Sequence, residues 1–337
     1  VVALCAEVMS GCRSLGPGSV DRDRIDYCAS VGDSWKRQTL LYIVKLRYMD
    51  PPIFVDIGQI VASYSLESGV EVSGQASPSA ESRFIGAGGH ATYTDKPTIT
   101  YTPLTGKKFL RELMTPFTPQ AVFQMIQSGW PADVVLYASA ASINGLRNQD
   151  TTITGVIPPE PEFLRVLELM RNIQQSGGVS LRVEGEPDKP TATILAFRWQ
   201  DASPQTIADS AELRKLLKLD PKATEFRLVA TETPADDKEV AIQTRSMLRL
   251  MWTLGAQVEV PEQDLAESRV VSGWESLPGA STQARILTVK SSDKEPKNAF
   301  VAVQYRNTWF WIDDQDLKSK HSFAFIMFLF TVSDTSE

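Results

Sequence analysis

Residues 35–64 read WKRQTLLYIVKLRYMDPPIFVDIGQIVASY, and this stretch decides the fold. Leu40, Leu41, Ile43, Val44 and Leu46 leave little room for a polar face, so it opens as a buried helix end. Asp50-Pro51-Pro52 then stops the helix. Proline has no N–H to donate, and it steers the residue before it away from helical angles. Ile53-Phe54-Val55-Asp56-Ile57 follows as a β-branched run, so residues 53–66 are expected to form a strand.

Toward the N-terminus the helix extends back to about residue 21. Ile25, Cys28, Trp35, Tyr42 and Leu46 recur near helical spacing, and the first half is polar. Cys28 reads as a small core residue on that spacing. Toward the C-terminus, residues 67–87 are rich in Gly, Ser and Pro and suggest a hairpin with a loop. Residues 92–102 alternate like a strand, with Ile99 and Tyr101 on one face. Asp95-Lys96-Pro97 suits an edge, since proline cannot donate to a ladder. Short helices are expected at 107–114 (capped by Thr105), 120–127 (led by Thr118-Pro119) and 133–144 (closed by Gly145).

The Pro/Thr-rich residues 151–161 mark an expected boundary between an N-terminal domain, 20–150, and a C-terminal domain, 162–337. Beyond it, helices are expected at 162–175, 205–219, 236–254 and 316–331. Strands are expected at 179–184, 191–199, 225–230, 285–290 and 300–313. Hairpins mixed with helices, without regular alternation, predict an α+β fold: mixed or antiparallel sheets, packed helices and a long N-terminal helix.

Residues 1–19 read as an address. Val1 to Ala6 are apolar or small, and Met9-Ser10-Gly11-Cys12 resembles a bacterial lipobox. Cys12 would then carry the lipid, and Arg13-Ser14-Leu15-Gly16-Pro17-Gly18-Ser19 would be the tether. Ser14, rather than Asp, leans toward the periplasmic face of the outer membrane.

The net charge is −7, from 34 Lys and Arg against 41 Asp and Glu. That balance disfavours nucleic acid, whose binding needs a basic stripe to displace counterions. The two histidines, His90 and His321, lie near opposite ends of the chain, and the three cysteines have no zinc spacing. Neither a metal nor another cofactor is expected. Gly86-Ala87-Gly88-Gly89-His90 could cradle an anion, but glycine clusters more often mark a turn between strands. Asp313, Asp314 and Asp316 lack the glycine and distal glutamate of a calcium loop and suit a helix N-terminus instead.

Several long segments carry a resemblance. They are WKRQTLLYIVKLRYMDPPIFVDIGQIVASYS, YTDKPTITYTPLTGKKFLRELMTPFTP, QSGWPADVVLYASAASINGLRN and VAVQYRNTWFWIDDQDLKSKHSFAFIMFLF. They resemble a family of bacterial proteins of uncharacterised function that often look like exported lipoproteins. The resemblance implies an envelope location and no catalytic residue. The leading expectation is a structural or assembly component held to the envelope by lipid and bound to other protein subunits. The alternatives are a hydrolase or small-ligand-binding protein, and a subunit of a secretion or transport complex. For assembly the candidate anchors are Trp309 and Trp311, on one face of an expected strand, with Phe325 and Phe328 on a helix apolar all round.

Overall fold

The structure, a computed structural model, describes residues 20–75, 84–152, 154–186, 189–197, 203–274, 277 and 285–334. Cys12 and the proposed tether lie outside them. The fold is α+β, with a long N-terminal helix and several sheets. The chain divides into two compact units. One holds residues 20–32 and 53–105 of those described; the other holds 33–52 and 106–334. Helix α1 (Val20–Arg47) is shared between them at Gly32.

The smaller unit is dominated by β1 (Phe54–Val61), β2 (Tyr64–Gln75), β3 (Phe84–Asp95) and β4 (Thr98–Leu104). β1 pairs antiparallel with β4, and β2 with β3. The expected strand at 53–66 is therefore two strands, and the expected strand at 92–102 is likewise split. The glycine run 86–90 is not a turn: it lies within β3, where His90 pairs with Gly69. A Cβ on Gly69 would sit 2.3 Å from the His90 ring. Cys28 is exposed on α1 rather than buried in a core, because the first half of that helix has no buried side chain.

In the larger unit α1 ends as expected, with Leu40, Ile43 and Val44 fully buried. Then come α2 (Lys107–Met114), α3 (Pro119–Gln127) and α4 (Ala132–Ser139). Thr105 does not cap α2; Gly106 occupies that position and gives no side-chain bond. Thr118 does cap α3, accepting from the Ala121 N–H, with Pro119 in the first turn.

The chain continues through β5 (Ala140–Ile143), β6 (Leu146–Arg147), β7 (Asp150–Thr152), β8 (Gly155–Ile157) and α5 (Pro161–Gln175). Next come β9 (Val179–Glu186), β10 (Lys189–Phe197), α6 (Pro204–Leu216), β11 (Glu225–Val229) and β12 (Glu239–Thr244). The last elements are α7 (Met247–Gly255), α8 (Glu262–Ala266), β13 (Lys290–Ser292), β14 (Ala299–Tyr305), β15 (Thr308–Asp313) and α9 (Leu317–Asp334).

A six-stranded sheet runs in the order β6-β5-β12-β11-β10-β9, antiparallel except between β11 and β12. It takes strands from both sides of residues 151–161. That stretch is thus no domain boundary: it includes most of the β7–β8 hairpin and the start of α5. Phe123, Leu136, Val166, Met170 and Leu213, from the four helices α3 to α6, meet Ile143, Leu195, Val240 and Ile242 of the sheet around a small apolar void. A second layer joins α7, α9, the end of α1 and the sheet β13-β15-β14. There Phe310, Ile312, Phe323, Phe325, Ile326 and Leu329 are fully buried.

Three expected elements were drawn too long, each for a local reason. The helix at 133–144 stops at Ser139, because Asn144 and Gly145 take φ of 46° and 81° and close a tight β5–β6 hairpin. The strand at 300–313 folds back at Arg306 and Asn307, also at positive φ, to make the β14–β15 hairpin. The helix at 236–254 is β12 followed by α7, and Ser246 caps α7 by accepting from the Arg249 N–H. The expected strand at 285–290 meets a strand only at Lys290, where the short β13 begins.

Candidate assembly surface

β1 and β2 form one line, and β3 and β4 return along it. Val61 faces Thr98 and, three residues on, Tyr64 faces Asp95, so no residue is gained or lost between the two ladders. A bond from the Lys96 N–H to the Ser63 carbonyl, 2.9 Å, bridges the interruption. Pro97 explains the interruption, since it has no N–H to give. The two ladders thus run on in one register, as a two-stranded ribbon of residues 54–75 and 84–104. At ~3.3 Å per residue its outward strand covers roughly 70 Å.

The two faces of the ribbon near its ends differ in chemistry. Ile99, Tyr101 and Pro103 alternate onto one face of β4, with Ile60 opposite Ile99 and Ile57 opposite Tyr101. Thr98, Thr100 and Thr102 take the other face, with Gln59 opposite Thr100 and Asp56 opposite Thr102. A bulge between Ile57 and Gln59 keeps both isoleucines on the apolar side, since one extra residue reverses the alternation. Gly58 fits this bulge, where a Cβ would stand 3.1 Å from the Thr102 hydroxyl oxygen. The apolar side is open: Tyr101 is 62% exposed and Ile99 39%.

Within the smaller unit, Phe54 is the one buried residue among the side chains described. A two-stranded ribbon is at best marginally stable in water and needs further strands or a helix against its apolar face.

The anchors expected from sequence fare differently. Phe325 is fully buried and packs on Trp130, ring centres 5.1 Å apart, so it is core and not interface. Phe328 touches the same tryptophan at 5.8 Å yet stays 42% exposed. Trp309 and Trp311 share a face of β15 as expected, and both are half-buried. Their cross-strand neighbours are Ser292, Lys290, Gln304 and Ala302, and the Lys290 ammonium lies 4.9 Å from the Trp311 ring centre. That face is covered in part by its own sheet's polar chains, not an open apolar patch.

The polar clusters act as internal fasteners. Arg245 is buried and donates to the carbonyls of Tyr137, Ala138 and Gln149. Burial lowers its pKa to about 10. Beside it the Tyr137 hydroxyl donates to Gln149 Oε1 at 2.6 Å, and Gln257 Nε2 donates to the same oxygen at 2.8 Å. Burial raises the Tyr137 hydroxyl far above its ordinary pKa. A second cluster ties Tyr48 to Asp264 at 2.6 Å and Tyr305 to Asp50 at 2.9 Å, with Lys45 also on Asp50. The acidic run divides its work: Asp316 accepts from the Ser319 N–H and hydroxyl at the start of α9, while Asp313 and Asp314 pair with Lys290 and Lys320. Among the described residues no three of His, Cys, Asp or Glu come together so as to hold a metal ion, and no helix is long and apolar enough to cross a membrane.

No protein family, no curated protein and no solved structure matches the chain.

Proposed function

We infer that the protein is an assembly component of a bacterial cell envelope and that its apolar ribbon face is the surface by which it joins another protein. The observation that carries this reading is the apolar strip of Ile57, Ile60, Ile99, Tyr101 and Pro103, exposed at Ile99, Tyr101 and Pro103, in a unit with one buried residue among the side chains described. A lipid on Cys12 would hold the chain to the membrane, which the Met9–Cys12 sequence supports. Several acyl chains anchor firmly where one binds only marginally. Ser14 favours the periplasmic face of the outer membrane. The small void under the six-stranded sheet is lined by apolar side chains, which gives a hydrolase no polar groups to work with there.

The test is photo-crosslinking in living cells, with the reactive amino acid placed at Tyr101 and, separately, at Thr100. Adducts to protein from position 101 and few from position 100 support the reading. Equal yields from both faces, or none, refute it.

A further inference from the structure

We propose that the outer face of α2, Lys107–Met114 in the larger unit, lies on the surface of an anionic phospholipid bilayer. This goes beyond the assembly reading, concerns a different surface and does not rest on it. The helix reads KKFLRELM, and residues four apart share a side of it. Phe109 and Leu113 turn inward, half-buried and buried, where α2 packs on α7 and α9. Leu110 and Met114 take the outer side and are 54% and 62% exposed. A helix on a soluble surface keeps polar residues on the side away from its core. Here two long, flexible apolar chains stand there in adjacent turns.

The charge around this pair names its partner. Lys107 and Arg111 form the neighbouring row, again four apart, and Lys108 lies beyond them; all three are exposed. Among the described residues none of the three is held by a carboxylate. Glu112 is the one acid on α2, and α7 and α9 carry one more between them, Asp334 at the end of α9. The whole chain is acidic, at −7, but a charge acts over only about 10 Å at ordinary salt, so the local cations govern what this face meets.

An apolar pair beside a row of cations is the pattern of a helix lying in the plane of a lipid interface. Leu110 and Met114 would enter the boundary between headgroups and acyl chains. The Lys107 and Arg111 stems are long enough to reach back from that depth to the phosphates. Nucleic acid offers the phosphates without the apolar layer. Each basic residue near an anionic surface strengthens binding roughly fivefold, so the three cations supply most of the attraction and the apolar pair holds the helix flat.

The experiment is cosedimentation of the full chain with vesicles, one set of phosphatidylglycerol and phosphatidylcholine in equal parts and one of phosphatidylcholine alone. The chain carries Cys12→Ser, so that no acyl group masks the contact. The expected result is binding to the mixed vesicles that high salt weakens, and little binding to phosphatidylcholine. Lys107→Glu with Arg111→Glu should lower that binding about tenfold or more. Lys222→Glu with Lys238→Glu makes the same change in net charge at exposed positions off α2 and should leave binding in place. Leu110→Ser with Met114→Ser should also weaken it. Circular dichroism should show an unchanged fold throughout, because every substituted side chain is exposed. A parent chain that ignores the mixed vesicles overturns the proposal. So does an equal loss from the two charge pairs, which would make net charge the cause, and so does full binding by the serine pair. The crosslinks from position 101 report on the ribbon and not on α2, so failure here and failure of the assembly reading are read separately.

Discussion

Replacing Gly255 with alanine should destabilise the protein, although alanine is the better helix former. Gly255 closes α7 where that helix crosses the buried end of α1. A Cβ there would lie 3.2 Å from the Ile43 carbonyl oxygen, 3.3 Å from the Arg47 nitrogen and 3.7 Å from the Arg47 Cα. All three are backbone atoms of a helix and cannot swing aside as a side-chain tip would. Forcing a methyl group into a packed contact costs about 1–3 kcal/mol. Helix propensity returns at most ~1 kcal/mol, and less at the last residue of a helix. The net loss is about 1–2 kcal/mol, and each kcal/mol lowers the melting midpoint by about 2–4 °C in a unit this large. Gly32 supplies the control. It lies inside α1 with nothing within 4 Å of its added Cβ, so Gly32→Ala should stabilise the helix by about 0.5–1 kcal/mol. Thermal melts read the first variant, and amide exchange over residues 24–36 reads the second. A Gly255→Ala midpoint at or above wild type would refute the close helix crossing.

Arg245→Ala should cost about 1–3 kcal/mol in urea unfolding, since it takes the guanidinium donor from the Ala138 and Gln149 carbonyls, while the Tyr137 carbonyl keeps its bond from Asn148. Asp50 is held below its ordinary pKa, chiefly by the Tyr305 hydroxyl, so its contribution is present above the unfolded carboxylate pKa and lost as pH falls through the folded one. Tyr305→Phe should therefore lower stability by about 0.5–1.5 kcal/mol at pH 7, with a gap that narrows below pH ~4; a gap constant with pH would speak against it. Trp130→Ala should cost about 1–3 kcal/mol, less than for a fully buried ring because Trp130 is half-buried, since it opens space against Phe325. Trp309→Ala with Trp311→Ala should leave the molar mass by light scattering unchanged, since both rings already lie against their own sheet. Cys12→Ser should release the chain from membranes, and mass spectrometry should find the wild-type cysteine acylated.

The end of α1 was legible because Leu40 to Leu46 are apolar on nearly every side and Pro51-Pro52 permits only one outcome. The class of the fold followed from hairpin and helix patterns in the same way. What escaped were elements whose neighbours lie far off in sequence. Val240, Ala241 and Ile242 carry β-branched residues, but the flanking helical spacing outweighs them until β5 and β11 close in on both sides. Asn144-Gly145 is a strong hairpin signal and was outweighed by the helical run before it. The ribbon face was half visible: Ile99 and Tyr101 alternate plainly, yet only the pairing shows that Ile60 and Ile57 lie opposite. No local pattern discloses a register between residues forty positions apart. The interface anchor at Phe325 misled for a related reason. A helix apolar all round marks burial, and here the chain itself buries Phe325.

The six-stranded sheet also governs how the chain is made. Ile143 on β5 pairs with Ile242 on β12, so two adjoining strands are synthesised far apart in time. At about 5–20 residues per second, roughly a hundred intervening residues keep β5 waiting some 5–20 seconds for its neighbour. Gly255, against which Ile43 and Arg47 pack, arrives later still. Through that interval the end of α1 lacks the α7 backbone that packs on Ile43 and Arg47. Nascent chains of this protein should thus call on a holding chaperone, and slower translation of residues 144–240 should lengthen that dependence.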